Sequence, residues 1–339
     1  MKLHLLYQIN AGASWAPQYV YNQVDRLLRE KFLDIEFVSE CAVPDRMNEY
    51  PSAHVMTILN KENDKRTYLS YMDKSRFMLI DNPTWGWRPE TIQQMFVTPD
   101  IVLLRQVMKE KAFLNKKRKF FVECGNRDIH YIENYEEVFQ PFSYTVNTID
   151  FARVYAPRLS VEKKQAKDRQ RKMVFRGYLW EPRQYICESG THDEITCTSE
   201  YFGGSRFAED MITNRCGMSL NGNAEICNRD MEYLALGMPL LRPTLKYAEF
   251  ADPLIPDVHY IAFDYDRTDY HGERYMGSPR DYDTKLAWDA LVDRWEQVKD
   301  DYDYLEYVGE NALKWYLKNA ELDAQATYFV NNVNLSLLA

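Results

Sequence analysis

Residues 217–263 read GMSLNGNAEICNRDMEYLALGMPLLRPTLKYAEFADPLIPDVHYIAF, and the order of residue types in this stretch sets the expected fold. A short apolar run, 217–220, gives way to Asn221-Gly222-Asn223, then to a helical pattern over 228–236, then to Gly237 and a second apolar run at 238–241. Strand, small-residue turn, helix and strand make one βαβ unit, in which the helix carries the chain back so that the strands lie parallel. Asn228 suits the N-cap of the helix, and Gly237 suits its C′ position, where a left-handed backbone favours glycine. A turn entering a helix at the end of a strand presents free backbone amides and the positive end of the helix dipole, an arrangement that holds phosphate.

Working outward, 173–177 (MVFRG) is a short strand ending in glycine, 194–200 is a further strand, and 206–214 and 282–301 read as helices. Strands alternating with helices predict a parallel sheet whose ligand lies off the C-terminal strand ends. The N-terminal half opens with an apolar run at 3–9, small residues at 10–14 and a helix over 17–31. A strand at 34–40 follows, then runs at 54–60 and 66–73 that alternate like a hairpin about the polar 61–65. Further strands are expected at 101–104, 119–123 and 143–147, giving a mixed α/β domain. A chain of 339 residues exceeds one ordinary core. The polar, basic stretch after Pro157 reads as a linker, so the expected domains are 1–155, a linker at 156–172, 173–310, and a C-terminal segment 311–339 crossing back to the first domain.

The composition, 45% hydrophobic and 27% charged, is that of an ordinary globular protein. No run approaches the ~20 apolar residues of a membrane span, and the first residues turn polar too soon for a signal peptide, so a cytoplasmic protein is expected. The six cysteines form no C-x-x-C pair, which predicts buried free thiols in place of zinc or a disulfide framework. A net charge of −9 disfavours wholesale wrapping of nucleic acid, although 109–119 (KEKAFLNKKRK) and 163–172 (KKQAKDRQRK) are basic. Such runs are either solvated faces or a local site for an anionic acceptor.

Arg229, in the first turn of the 228–236 helix, is placed for a charge-assisted contact to a phosphate. Glu232, three residues on and on the same face, is placed to accept hydrogen bonds from ribose hydroxyls; the competing reading is a plain surface ion pair between the two. Gly177 would let a ligand approach the backbone at a strand end, and Arg183 would return a second cation to the same pocket.

Together these segments resemble the capsule-associated glycosyltransferases, a family that includes protein O-glucosyltransferases and capsule xylosyltransferases. The resemblance covers roughly 173–265 and rests on Phe175-Arg176-Gly177 with Arg183, Leu220-Asn221-Gly222, Arg229, Leu234-Ala235-Leu236-Gly237, and Leu254-Ile255-Pro256-Asp257-Val258-His259-Tyr260-Ile261. The run Arg229-Asp230-Met231-Glu232-Tyr233-Leu234-Ala235 is also similar to the donor helix of viral DNA-base glucosyltransferases. The resemblance implies a GT-B fold, two Rossmann-like domains facing across a cleft, with a nucleotide diphosphate sugar, a UDP-sugar foremost, on the C-terminal domain. It implies donor contacts from Gly177, Arg183, Asn221, Gly222, Arg229 and Glu232, with His259 and Tyr260 as pocket wall or plain strand residues. It further implies inverting transfer to an acceptor hydroxyl on a glycan, a lipid-linked sugar or a protein.

Inverting transfer needs a base in the N-terminal domain, and no residue is carried over for it. By position Asp73 is preferred, with Asp81 and Asp128 behind it, each of which also suits a loop or cap. Trp15 and Trp85-Gly86-Trp87 fall in expected loops, as acceptor stacking surfaces or buried anchors. Asp264-Tyr265-Asp266 fits the letters of a D-x-D metal motif but follows the expected donor strand, and a GT-B site needs no metal where arginines carry the leaving charge. Two alternatives stand beside this reading: transfer to hydroxymethylated bases in DNA, using the basic runs, and a non-catalytic protein that binds a nucleotide sugar or glycan.

Overall fold

The computed structural model describes residues 1–7, 16–41, 55–63, 65–70, 102–104, 107–108, 119–120, 130–131, 139–141, 146, 148–177, 179, 183–200, 204–220, 226, 228–245, 248–250, 252–264, 284–333 and 335–339. The chain forms two compact units. The first comprises Met1–Asn147, Glu249–Ala251 and Leu322–Ala339, the second Thr148–Ala248 and Asp252–Glu321.

In the first unit, strands β1 (Lys2–Tyr7), β2 (Glu36–Cys41), β3 (Val55–Asn60), β4 (Lys65–Ser70), β5 (Val102–Leu104) and β6 (Phe139–Pro141) form one sheet in the order β2-β1-β3-β4-β5-β6. Helix α1 (Ala16–Lys31) links the parallel pair β1 and β2, as a crossover must. The polar turn at 61–63 is far too short for a crossover, so β3 and β4 pair antiparallel, and β3 lies antiparallel to β1 as well. Among the described residues the first unit is therefore α/β with a mixed sheet, and a sheet that is parallel throughout, as a Rossmann-like fold expects, is seen in the second unit. Leu3, Leu5, Met56 and Ile58 are fully buried on the sheet, and Val20, Val24 and Leu28 form the buried stripe of α1 at helical spacing. The last helix of the chain, α8 (Leu322–Asn332), belongs to this unit and begins later than the expected crossing segment. Tyr19 donates to Asp323 at 3.0 Å and Lys31 to the Val330 carbonyl at 2.7 Å, fixing α8 along α1.

The second unit has a five-stranded sheet that is parallel throughout: β7 (Gln170–Arg176), β8 (Ile195–Thr198), β9 (Asn214–Met218), β10 (Leu240–Pro243) and β11 (Ile261–Phe263), in the order β8-β7-β9-β10-β11. Counted along the chain this is 2-1-3-4-5, one of the two common doubly wound orders. Its helices are α2 (Ala156–Glu162), α3 (Arg183–Glu188), α4 (Gly204–Thr213), α5 (Asn228–Leu236), α6 (Thr284–Val298) and α7 (Tyr302–Asn319). Met173, Phe175, Met218, Leu241 and Ile261 share one buried cluster with Trp288, Leu291 and Trp295 of α6. Gly217 looks to the other face, where a Cβ would lie 2.2 Å from the Tyr233 ring of α5; that ring's hydroxyl donates to the Val174 carbonyl at 3.3 Å.

Residues 156–172, expected as a linker, are instead part of the second unit: α2, a 3-10 turn at Ala166–Asp168 and the start of β7. Their polar look misleads because much of the charge is engaged. Lys163 donates to the Gly237 carbonyl, the fully buried Arg169 side chain pairs with Glu306, and Arg171 pairs with Asp300 at 2.7 Å and Glu194 at 3.1 Å. A second correction concerns the cysteines: Cys187 and Cys197 form a disulfide, whereas Cys216 is the free thiol among the described residues, with burial pushing it up to about 12. Spacing along the chain carried no sign of that pairing, since it depends on α3 folding back beside β8.

Helix α5 ends as its sequence predicts. Gly237 has φ +62°, its N–H reaches the Leu234 carbonyl at 3.0 Å, and the Met238 N–H reaches the Tyr233 carbonyl at 3.0 Å, a Schellman motif. Gly237→Ala is expected to cost about 1–2 kcal/mol, the left-handed penalty of a Cβ. Urea unfolding checks it; an unchanged midpoint would show that the turn can relax.

Candidate functional site

The chain leaves β7 to one side to build β8 and returns on the other side to build β9, so the strand order switches between β7 and β9. Doubly wound sheets bind ligands in the crevice outside the carboxyl ends of the strands at such a switch point. Arg176 ends β7 and Gly177 follows it, while Ser219 and Leu220 follow β9.

Gly177, Arg183, Arg229 and Glu232 come together at this place. Arg183, the first residue of α3, donates from Nε to the Leu220 carbonyl at 3.0 Å, so a side chain from the β7 connection reaches the end of β9. Its guanidinium carbon lies 5.4 Å from the centroid of the Phe175 ring. Arg229, from the first turn of α5, lies 5.5 Å from the same ring and 5.5 Å from Phe207 of α4. A Cβ on Gly177 would stand 2.2 Å from Arg229 Nη1, so this guanidinium rests against bare backbone. Two arginines from separate elements thus share one aromatic ring. Stacking on a ring face occupies the flat side of a guanidinium and leaves its edge N–H groups available for in-plane acceptors.

Glu232 lies beside Arg229, yet the pair is not a hydrogen-bonded bridge. Arg229 Nε and Glu232 Oε2 are 4.0 Å apart, the two side chains are each 16% exposed, and neither atom has a hydrogen-bond partner among the described residues. The two are an i,i+3 ion pair at its long limit, and a largely buried one, so the surface placement of the competing reading does not hold. A buried polar group left unpaired costs about 1–3 kcal/mol, more when charged. Burial pushes the Glu232 carboxyl above the usual glutamate range, with the Arg229 charge opposing the shift and Asp230 adding to it. The site therefore offers a cation short of acceptors beside a carboxyl with an unpaired oxygen, and its complement is a ligand carrying both anionic oxygens and hydroxyls.

Other residues of the motifs hold the frame. Arg176 is tied to Asp210 of α4 at 2.8 Å, so Phe175 and Gly177 face the site while the arginine between them braces α4. Tyr260 is buried, its hydroxyl accepting from the Leu245 N–H at 3.2 Å, and His259 Nδ1 accepts from the Ile255 N–H at 2.9 Å; both serve the loop before β11. Sequence reading assigned no role to Phe175 and Phe207 as arginine seats, nor to Asp230 and Arg242. The latter two form a buried ion pair at 2.6 Å between α5 and β10, with side chains 1% and 2% exposed, and fix the rotation of the helix that carries Arg229 and Glu232. A charged residue in the apolar run 238–243 was the one available signal for it.

Asn221 and Gly222 lie outside the described residues, immediately beyond the Leu220 carbonyl that Arg183 holds, and Asp73, Asp81, Asp128, Trp15 and Trp85–Trp87 also lie outside them. Of the basic runs, 109–118 is outside as well, while in 163–172 only Lys164, Lys167 and Lys172 remain exposed without a described partner. Among the described residues His192, Glu194 and Glu296 bring ligand atoms within 4.8 Å of one another, but Lys299 donates to both carboxylates and Arg171 pairs with Glu194, so the group is a charge-balanced network.

Gly177→Ala tests the Arg229 seat. The new methyl meets the far end of a flexible side chain, so stability should change by under about 1 kcal/mol while Arg229 is displaced from Phe175 and anion binding weakens. Pyrophosphate titration by calorimetry checks this; unchanged affinity would show that the seat is immaterial.

The second unit is thus a Rossmann-like, doubly wound α/β unit with two arginines gathered at its switch point, and no helix among the described residues is long and apolar enough to cross a membrane. No family model matches the chain, and no curated protein matches it.

Proposed function

We propose that the switch-point crevice binds the diphosphate of a nucleotide diphosphate sugar, a UDP-sugar foremost, and that the protein is a cytoplasmic inverting glycosyltransferase of the GT-B kind. The observation that carries this is the convergence of Arg183 and Arg229 on Phe175, with the unpaired Glu232 oxygen beside them. A diphosphate would supply acceptors to Arg229, with the Arg183 charge beside it, and ribose hydroxyls would supply donors to Glu232. The likeness of the Gly177, Arg183 and Arg229 segments to capsule-associated glycosyltransferases supports the same assignment.

In this reading a general base, for which the sequence prefers Asp73, takes the proton of an acceptor hydroxyl on a glycan, a lipid-linked sugar or a protein. The acceptor oxygen attacks the anomeric carbon as the bond from that carbon to the diphosphate oxygen breaks, and the departing electron pair remains on the diphosphate. Charge growing on that oxygen is stabilised by guanidiniums already in place, a task elsewhere given to a metal ion. The internal pairing of Lys163, Arg169 and Arg171 leaves fewer cations in 163–172 for a DNA backbone, so a glycan, lipid-linked sugar or protein acceptor stands ahead of hydroxymethylated DNA.

A panel of nucleotide sugars scored by thermal shift and hydrolysis tests the proposal. A ligand at a hundredfold excess over its Kd stabilises by about 2.7 kcal/mol, well within detection. Stabilisation with hydrolysis supports the transferase; stabilisation without hydrolysis or transfer leaves the binding-protein alternative; no stabilisation by any nucleotide sugar removes the donor site.

A further inference from the structure

The disulfide sits within the frame of the crevice. Cys187 belongs to α3, the six-residue helix that starts with Arg183, one turn before it. Cys197 lies in β8, where the parallel register pairs it with Phe175, the residue on whose ring both arginines stack. The bond therefore ties the Arg183 helix to the strand beside Phe175, closing a loop of sequence separation 10. A helix this short has little stability of its own and depends on what anchors it. Other anchors on α3 include the buried Ile186 and the Arg183 bond to Leu220, with Gly190 just beyond packed under the Trp288 indole. Both cysteines are half-buried and pack against the apolar cluster that includes Phe175 and Trp288.

We propose that the Cys187–Cys197 disulfide is a redox latch on the crevice: reduced, α3 loosens and Arg183 leaves its seat, so the site holds diphosphate less tightly. The inference rests on the anion-site reading above. The reductant is a dithiol. One of its thiolates attacks a sulfur of the bond, the Cys187–Cys197 S–S bond breaks, and a mixed disulfide forms. The second thiolate resolves that intermediate, so two electrons and two protons pass to the protein as two thiols and the dithiol leaves as a cyclic disulfide.

The test measures oxidised protein, protein reduced with dithiothreitol, and a Cys187→Ser/Cys197→Ser variant, with mass spectrometry confirming the thiol count. Ligand-free hydrogen exchange is read at 183–190 with β9 as the internal reference, and pyrophosphate affinity by calorimetry. Faster exchange at 183–190 in the reduced and variant proteins, together with roughly tenfold weaker pyrophosphate binding, is expected, a coupling within the usual 5–150-fold range. The variant should be indifferent to dithiothreitol. Unchanged exchange on confirmed reduction overturns the latch, and faster exchange with unchanged affinity overturns its coupling to the site. If the oxidised protein fails to bind pyrophosphate at all, the anion-site reading falls and the coupling with it, while the exchange data still decide whether the disulfide holds α3.

Discussion

Arg229→Ala is expected to lower kcat/KM for the nucleotide sugar by about 2–4 kcal/mol, a loss of roughly 30- to 900-fold, with the fold intact. The effect should be this large because the guanidinium is already in place: it is stacked between Phe175 and Phe207 and laid against Gly177 before any ligand arrives. No reorganisation is then needed as charge develops on the leaving diphosphate. Arg229→Lys should recover little, since an ammonium cannot present the same planar fork. Arg183→Ala should lose a comparable amount and, unlike Arg229→Ala, some stability too, because it also breaks the bond to the Leu220 carbonyl. Glu232→Ala should act mainly through the donor KM, as ribose contacts are alike in ground and transition states. Steady-state kinetics on purified variants distinguishes these patterns; near-normal turnover in Arg229→Ala would remove the donor-site assignment.

The second large effect is on stability. Asp230→Ala, or Arg242→Ala, is expected to cost about 3–5 kcal/mol, because each removes the opposite charge from a buried ion pair. The two residues are 2.6 Å apart, and the Arg242 guanidinium also lies 5.7 Å from the Tyr260 ring, so the pair joins α5, β10 and the loop before β11. Replacing both together, Asp230→Leu with Arg242→Met, should be far less damaging than the sum of the single changes. A double-mutant cycle in urea reads that coupling directly. Additive single effects would mean that the pair is not the anchor of α5.

Much of the second unit was legible along the chain because its signals are local. Helix α5 runs over the residues that the Asn228 and Gly237 signals bracket, and β7 and β9 end beside Gly177 and Leu220 where the apolar runs stop. The hairpin of β3 and β4 followed from alternation around a polar turn. The site was legible in part: Gly177, Arg183, Arg229 and Glu232 were singled out by type and spacing, and the first three do meet. Their shared seat on Phe175 was not, since a phenylalanine in a buried strand gives no sign of what stacks on its ring.

The 156–172 stretch shows where local signals fail. Its lysines and arginines look like a solvated linker, yet Arg169 is buried against Glu306, 137 residues further on, and such a pairing exists only once α7 has docked. The same holds for Cys187 and Cys197, and for Asp230 and Arg242. By itself the sequence determined the βαβ alternation of the second unit and the glycine stop of α5, because propensity, periodicity and capping act within a turn or two of the chain. Only the tertiary structure decided the 2-1-3-4-5 strand order, which cations are neutralised internally and which stay available, because those outcomes are set by contacts between residues distant in sequence and by burial.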